Sequence, residues 1–311
     1  MTDRALAVVR AGALTTVQDR GRPGHAHLGV PRSGALDGPA AALANRLTGN
    51  APDAAVLETT LDGCSVRPRS TVTMAVTGAP CPVTVDGGPV AWGAPVRVRA
   101  GSVLDVGPAV SGVRAYVAVS GGIAVEQALG SRSTDLLSGL GPAPLTDGSV
   151  LPLGRPGHQS HARVDVAPQP APPAELLLRV VLGPRDDWFT PTAVRLFTSR
   201  AYHVSPASNR IGLRTTGPVL ERAKRAELPS EGVVLGAVQV PPDGTPVVFL
   251  ADHPTTGGYP VIAVVRPTDL PAAAQAVPGT PVRFVAVRRG RGAGHVRRIG
   301  SEETDGSRAR R

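Results

Sequence analysis

The stretch Gly232–Pro260, GVVLGAVQVPPDGTPVVFLADHPTTGGYP, decides the fold class. Two apolar, β-branched runs flank Asp243-Gly244, a residue pair suited to the positive φ angles of a hairpin turn. The second run breaks at Asp252 into two threonines, two glycines and Tyr259-Pro260 before the apolar VIAVV resumes. Glycines 257 and 258 free the backbone to expose its amides, and Thr255, Thr256 and Tyr259 add hydroxyl donors. Such a loop suits the grip of a carboxylate, phosphate or amide. It suits a plain hairpin with a threonine rim equally well.

Outward from this stretch the same pattern of short runs and turns repeats. STVTMAVTG, CPVTVDGGPVAWG, PVRVRAGSVLDVG and VRAYVAVSGG precede it; ELLLRVVLGP and PVRFVAVRR lie nearer the C-terminus. The chain has 37 Gly and 32 Pro but only 3% aromatic residues, so short strands and turns are expected, with Val, Leu and Ala filling the interior. Two segments read as helices. LDGPAAALANRLTGN has Asp37 as N-cap, Pro39 in the first turn and Gly49-Asn50 as a stop; TDLPAAAQAVPG has Thr268 as cap and Pro278-Gly279 as a stop. The fold class is therefore mainly β with a few short helices, and without strand–helix alternation an open parallel sheet fits badly. Arg155–Glu175 is rich in proline and alanine and reads as a linker. This divides the chain into an N-terminal β-rich half (1–154), a linker (155–175), a C-terminal β-rich half (176–289) and a basic disordered tail (290–311).

The formal charge of +9 is concentrated at the end of the chain. Eight arginines between Arg288 and Arg311 stand against Glu302, Glu303 and Asp305, leaving the rest of the chain only weakly basic. Nucleic-acid binding by the folded part is not expected. Two cysteines without C-x-x-C spacing, Cys64 and Cys81, point to a reducing compartment, and the N-terminal apolar run is too short for a signal peptide or membrane span. A cytoplasmic protein without membrane contact is expected.

The single lysine, Lys224, removes a Walker A loop and a Met-Lys-Met biotin carrier. There is no G-x-S-x-G elbow, and His25 and His27 lack a third ligand at a recognisable spacing, so no metal site is expected. Four segments remain. TTVQDRGRPG reads as an arginine-based anion site or a solvated turn. Around the first helix, Asp37 explains itself as a cap, although a free helix N-terminus also attracts anions. GSRST and SPASNRIG each pack hydroxyls or amides around one arginine, a pattern shared with ordinary Ser- and Asn-rich turns. The TTGGYP loop is the fourth.

Taken together, TTVQDRGRPG, SGALDGPAAALANRLTGN, LETTLDG, YVAVSGGI, LGSRSTD, SNRIGLR, EGVVLGAVQVPPDGTPVVFLAD and TTGGYP carry a resemblance. In this order they resemble the biotin-dependent carboxyltransferase family, which includes the C-type 5-oxoprolinase subunit, allophanate hydrolase subunit 2 and a Kip-type antagonist of a kinase inhibitor. The resemblance implies two cyclophilin-like β-barrel halves and an active site shared with a B-type 5-oxoprolinase subunit, with a third subunit needed for the complete 5-oxoprolinase. That enzyme opens 5-oxoproline, a small-molecule lactam, to L-glutamate, with ATP bound at the level of the complex and this chain inactive alone. Biotin enters only under the alternative of a urea or amide carboxylase or allophanate hydrolase system; a regulatory, non-enzymatic subunit is a further alternative.

Residue by residue, the resemblance implies catalytic roles for Asp19, Arg22, Arg210 and Asp252. Gln18, Asp37, Asn45, Glu58, Ser131, Ser133, Thr134, Asn209, Gln239, Thr256, Gly257, Gly258 and Tyr259 are implied as substrate-binding. Arg22, Arg210 and Gly257-Gly258 would cradle a developing oxyanion or acyl-phosphate, with Asp19 or Asp252 orienting or acting as base. Three positions depart from the family pattern. His253-Pro254 stand where relatives commonly carry a glutamine, Glu231 stands where Asp is usual, and GPAPLTDGSVLP is looser than the Gly-rich segment expected there.

Overall fold

A computed structural model describes residues 4–156, 167–169, 171–224 and 226–288. The basic tail and most of the linker lie outside the described residues.

The first half is two antiparallel sheets with the core between them. One has six strands, in the order Val150–Pro152, Ala5–Arg10, Cys64–Pro68, Leu104–Val106, Val83–Val85, Gly88–Pro89. The other has five, in the order Thr15–Gln18, Val56–Thr60, Arg114–Val119, Val72–Gly78, Pro95–Val98. Leu6, Val17, Leu57, Val66, Met74 and Leu104 pack together between them. Each such side chain, fully buried, contributes about 1.5–3 kcal/mol. The VDGGPV hairpin forms at Asp86 (φ 50°) and Gly87 (φ 79°), both in the left-handed region that this tight turn requires.

The second half is a closed barrel of seven strands: Leu176–Leu182, Val261–Val265, Ala237–Gln239, Val247–Phe249, Gly212–Thr216, Tyr202–Val204 and Pro281–Ala286. Parallel pairing of the last strand with the first closes it. Leu176, Leu178 and Val180 alternate inward along that first strand, as a half-buried strand demands. Inside, Phe284 stacks on Phe197 with centroids 4.4 Å apart and meets Tyr202 edge-on at 5.7 Å. The PPDGTPV hairpin pairs as expected, Val238 with Val248 and Gln239 with Val247, but through a wider loop than a two-residue turn. Beyond it, Thr256–Gly257 pairs with Glu231–Gly232 as a separate two-stranded ribbon.

Helix α1 is Gly38–Leu47. Asp37 caps it, accepting from Ala40 N at 3.1 Å, and Ala40, Ala41 and Ala44 pack on Val56, Tyr116 and Ala118 of the five-stranded sheet. Helix α2, Pro191–Ser199, was not anticipated in the sequence. Thr190 caps it with a 3.1 Å bond from Ala193 N, Pro191 opens its first turn, and Ala193 and Phe197 form its buried face. Helix α3, Leu270–Ala274, corrects the cap expected at Thr268. A 3-10 turn, Pro267–Asp269, leads into it, and the flanking Asp269 makes no cap bond because Arg179 occupies its carboxylate.

Candidate active site

The Thr15–Gln18 strand delivers Asp19 to the rim of the first half. Its Oδ1 accepts from Gly21 N (2.8 Å), Ser131 Oγ (2.6 Å) and Ser133 Oγ (2.7 Å), and its Oδ2 accepts from Arg132 N (2.6 Å). One carboxylate thus ties the QDRG turn to the GSRST loop. Gln18 Nε2 adds a 3.0 Å bond to Thr134 O. Arg22 is 1% exposed and threads beneath this loop, donating from Nε to Ala128 O at 3.2 Å and from Nη2 to Ser133 O. Its Nη1 has no partner among the described residues, and neither has the buried Oδ2 of Asp135. Burial lowers the Arg22 pKa, against the pull of Asp135, Asp19 and Asp252.

Deeper, Arg210 crosses between the halves. Its Nε and Nη2 grip both oxygens of Asp252, at 2.9 and 3.0 Å. Nη2 also reaches Gly34 O at 2.8 Å, and Nη1 donates to Glu58 Oε1. The second oxygen of Glu58 accepts from Leu36 N at 3.0 Å and from the Tyr116 hydroxyl at 2.9 Å, and that hydroxyl accepts from Asp37 N at 2.7 Å. Asp252 also accepts from Ser33 Oγ at 2.9 Å and Leu136 N at 3.2 Å. Burial by itself would raise the Glu58 pKa, but Arg210, then Arg114, hold it below the usual carboxylate range. Burial similarly opposes the charge on Arg210, yet Glu58 and Asp252 keep its pKa raised. Gln275, at the end of α3, accepts from Val113 N and Arg114 N at 3.0 Å and donates to Asp37 Oδ2 and Arg114 O at 2.9 Å.

Above this interior a cavity of about 380 Å³ opens, lined by Gln18, Asp19, Arg20, Arg32, α1 residues Gly38 and Ala41, and Asp53 among others. A chamber of about 70 Å³ shares Arg20, Arg32 and Ala35 with it and reaches Leu235, Leu250 and Leu270 of the second half. The cleft therefore spans the seam. Arg20 is 76% exposed and only 4.0 Å from Asp53, and Arg32 is exposed as well, so both guanidinium groups can meet an anionic ligand.

The expected site residues thus fall into distinct places. Asp19, Gln18, Arg22, Ser131, Ser133 and Thr134 come together at the rim. Arg210, Asp252 and Glu58 come together in the interior, where their polar groups are already engaged. Asp37 caps α1, and Asn45 holds Ala54 O at 2.7 Å and Asn50. Asn209 is exposed and closes its own turn onto Ile211 N and Gly212 N. Thr256, Gly257, Gly258 and Tyr259 belong to the ribbon, where Gln239 Nε2 holds Tyr259 O at 3.1 Å and Arg222 lies 5.9 Å above the Tyr259 ring.

Of the expected cradle of Arg22, Arg210 and Gly257-Gly258, Arg22 keeps Nη1 without a partner among the described residues. Gly257 packs on Gln239 and Val233, while the Arg210 donors face Asp252, Glu58 and Gly34. Sequence reasoning also passed over Arg32, Arg114, Tyr116, Asp135 and Gln275. Gln275 had a readable signal, a lone amide closing an alanine helix.

Residues 28–286 match the family model described as carboxyltransferase domain, subdomain A and B. The chain is 38% identical to the C subunit of 5-oxoprolinase from Escherichia coli (strain K12) over 90% of both chains. It is 34% identical to urea amidolyase of Saccharomyces cerevisiae, covering 90% of this chain but 16% of that one. Among solved structures, TTHA0988 superposes with a TM-score of 0.81 at 37% identity over 91% of this chain and 55% of that one. The Kluyveromyces lactis urea amidolyase gives the same TM-score at 32% identity, over 91% and 19%. Two sheets, a closed barrel and a seam cleft within a match of this extent lead to one conclusion: the chain belongs to the carboxyltransferase domain family, subdomains A and B.

Proposed function

We propose that this chain is the C-type subunit of an ATP-dependent 5-oxoprolinase, which works with a B-type partner and a third subunit to open 5-oxoproline to L-glutamate. The observation that carries this reading is the 38% identity to a 5-oxoprolinase C subunit across 90% of both chains. The cleft fits the substrate chemically: Arg20 and Arg32 can take its carboxylate, and the polar rim around Asp19 and Gln18 can meet its lactam. The buried Arg210–Asp252–Glu58 cluster keeps the two walls in register instead of touching substrate. ATP supplies the driving force, and we place it on the companion subunits. The only lysine here, Lys224, is paired with Asp187 beside Trp188, and the sequence has no phosphate-binding glycine–lysine loop. Cys64 and Cys81 are free, and burial pushes their thiols up to about 12 and about 11, which removes them as nucleophiles and suits a cytoplasmic protein.

The test is coexpression with the companion subunits, followed by an assay of ATP-dependent glutamate formation from 5-oxoproline. A purified, assembled complex without turnover would refute the reading. The match to urea amidolyases favours a second reading, transfer of a carboxyl group between biotin and urea or another amide. Biotin-dependent carboxylation of urea by the same complex would establish it.

A further inference from the structure

A second seam cavity, of about 130 Å³, shares no lining residue with the 380 Å³ cleft and only Leu250 with the smaller chamber. Leu61 and Val113 come to it from the first half, and Leu213, Leu250 and Ala273 from the second; all but Leu61 are buried. Leu61 is 45% exposed with φ 53°, in the left-handed region that a bulky side chain rarely occupies. Three backbone bonds hold it there: Leu61 N donates to Val113 O at 2.8 Å, Ala109 N to Leu61 O at 2.7 Å, and Asp62 N to Thr60 O at 2.7 Å. The turn thus keeps an apolar side chain at the cavity, half in solvent.

Two residues among the same walls carry uncommitted donors, Arg114 and Asn209. Arg114 is 7% exposed. Its Nη1 donates to Ala274 O, its buried Nε lies 3.6 Å from Glu58 Oε1 without a hydrogen bond, and its Nη2 makes none among the described residues. Glu58 is already held by Arg210, Leu36 N and the Tyr116 hydroxyl, so this guanidinium is incompletely compensated. Burial lowers its pKa, against the pull of Glu58. Asn209 Oδ1 accepts from Ile211 N at 2.9 Å and Gly212 N at 3.2 Å, which fixes the orientation of the amide. Its Nδ2 is left without a partner among the described residues.

We infer that this cavity binds a short aliphatic carboxylate, its chain against Leu61, Val113 and Leu213 and its head group on Arg114 and Asn209. A carboxylate accepts from a guanidinium and an amide together, and the apolar walls suit its hydrocarbon end. Phosphate fits badly, because those walls would leave its remaining oxygens unpaired. A cavity of about 150 Å³ holds benzene, so this one suits a molecule about the size of butanoate. 5-Oxoproline is larger and carries polar groups on both sides of its ring. The site is therefore separate from the proposed reaction and needs no companion subunit. It is still next to the wall between the halves: strand Val56–Thr60 bears Glu58 and ends at the cavity with Thr60.

The experiment titrates butanoate into the purified full chain and follows methyl and amide resonances by NMR, with butanamide and 5-oxoproline as parallel ligands. Saturable shifts at Leu61, Val113 and Leu213 are expected, with butanamide weaker by about tenfold or more. Arg114 stays in place, because its loss would uncover Glu58. Asn209→Asp keeps the oxygen that closes the turn but sets a carboxylate against that of the ligand, and should weaken binding about tenfold or more. Ala276→Leu, at another lining position, fills the space and should abolish binding in a folded chain. No saturable shift at these residues up to about 50 mM butanoate, well above the millimolar range open to so small a ligand, would overturn the inference. Equal binding of butanamide, or unchanged binding in Asn209→Asp, would overturn it too. Displacement of butanoate by 5-oxoproline would make the cavity part of the reaction site and refute its separateness. None of these readouts uses turnover, so the result stands apart from that of the 5-oxoprolinase assay.

Discussion

Arg210 and Asp252 form a two-pronged ion pair with both side chains no more than 1% exposed, and the same guanidinium reaches Glu58 in the other half. Removing Arg210 would strand two buried carboxylates. Arg210→Ala should cost about 3–5 kcal/mol in urea unfolding, and Arg210→Lys should not restore the loss, because one ammonium cannot reproduce the fork. Lost turnover in Arg210→Ala with unchanged stability would instead return this residue to the chemistry.

Glu58 makes the acid side of the stability curve predictable. Its folded pKa lies below its unfolded value of about 4.3, so its contribution is fully present above that pH and is lost as pH falls through the lower, folded value. Glu58→Gln should flatten the stability–pH slope below about pH 4.3 while lowering stability at neutral pH, as read from denaturant midpoints across pH.

His253 adds a dependence at milder pH. Its folded pKa is lowered, so the unfolded chain takes up the proton first and stability declines as pH falls below about 6.5. His253→Asn should remove that part of the decline, which thermal melts at neighbouring pH values would detect.

The four bonds received by Asp19 make it the clasp of the GSRST loop. Asp19→Asn keeps the shape but turns an acceptor into a donor facing other donors. It should cost about 1–3 kcal/mol and speed amide exchange at residues 131–134.

Arg20 and Arg32 carry the opposite signature, since neither is buried. Arg32→Ala should leave stability within about 0.5 kcal/mol of wild type and weaken binding of a carboxylate-bearing substrate about tenfold, as seen in KM. An unchanged KM in Arg32→Ala and in Arg20→Ala would remove the carboxylate from this end of the cleft.

Much of the fold was legible because its signals are local. Asp86-Gly87 announces a hairpin, Asp37-Gly38-Pro39 announces a helix start, and Leu176, Leu178 and Val180 alternate as a barrel strand must. Thr190-Pro191 carried the same kind of signal for α2, but a nine-residue helix among β-prone runs is easily read as part of a strand-rich stretch. The site was legible only in part. Gln18, Asp19 and Arg22 meet Ser131, Ser133 and Thr134 across more than a hundred residues, and motif content picked them out while contacts did not. What was not legible is which polar groups are already satisfied. Arg210 and Arg22 look alike in sequence, yet one has its donors committed to carboxylates 42 and 152 residues away and the other keeps an Nη1 to spare.

The Gln275 amide touches Val113, Arg114 and Asp37 at once, and it lies beside the Arg210–Glu58 bridge in a shared polar wall. Neither half is therefore self-sufficient: prepared separately, each would present to solvent a surface of unmatched ions and amides shaped for the other. The polypeptide should melt in one step, and two fragments severed between the halves should regain structure only when mixed.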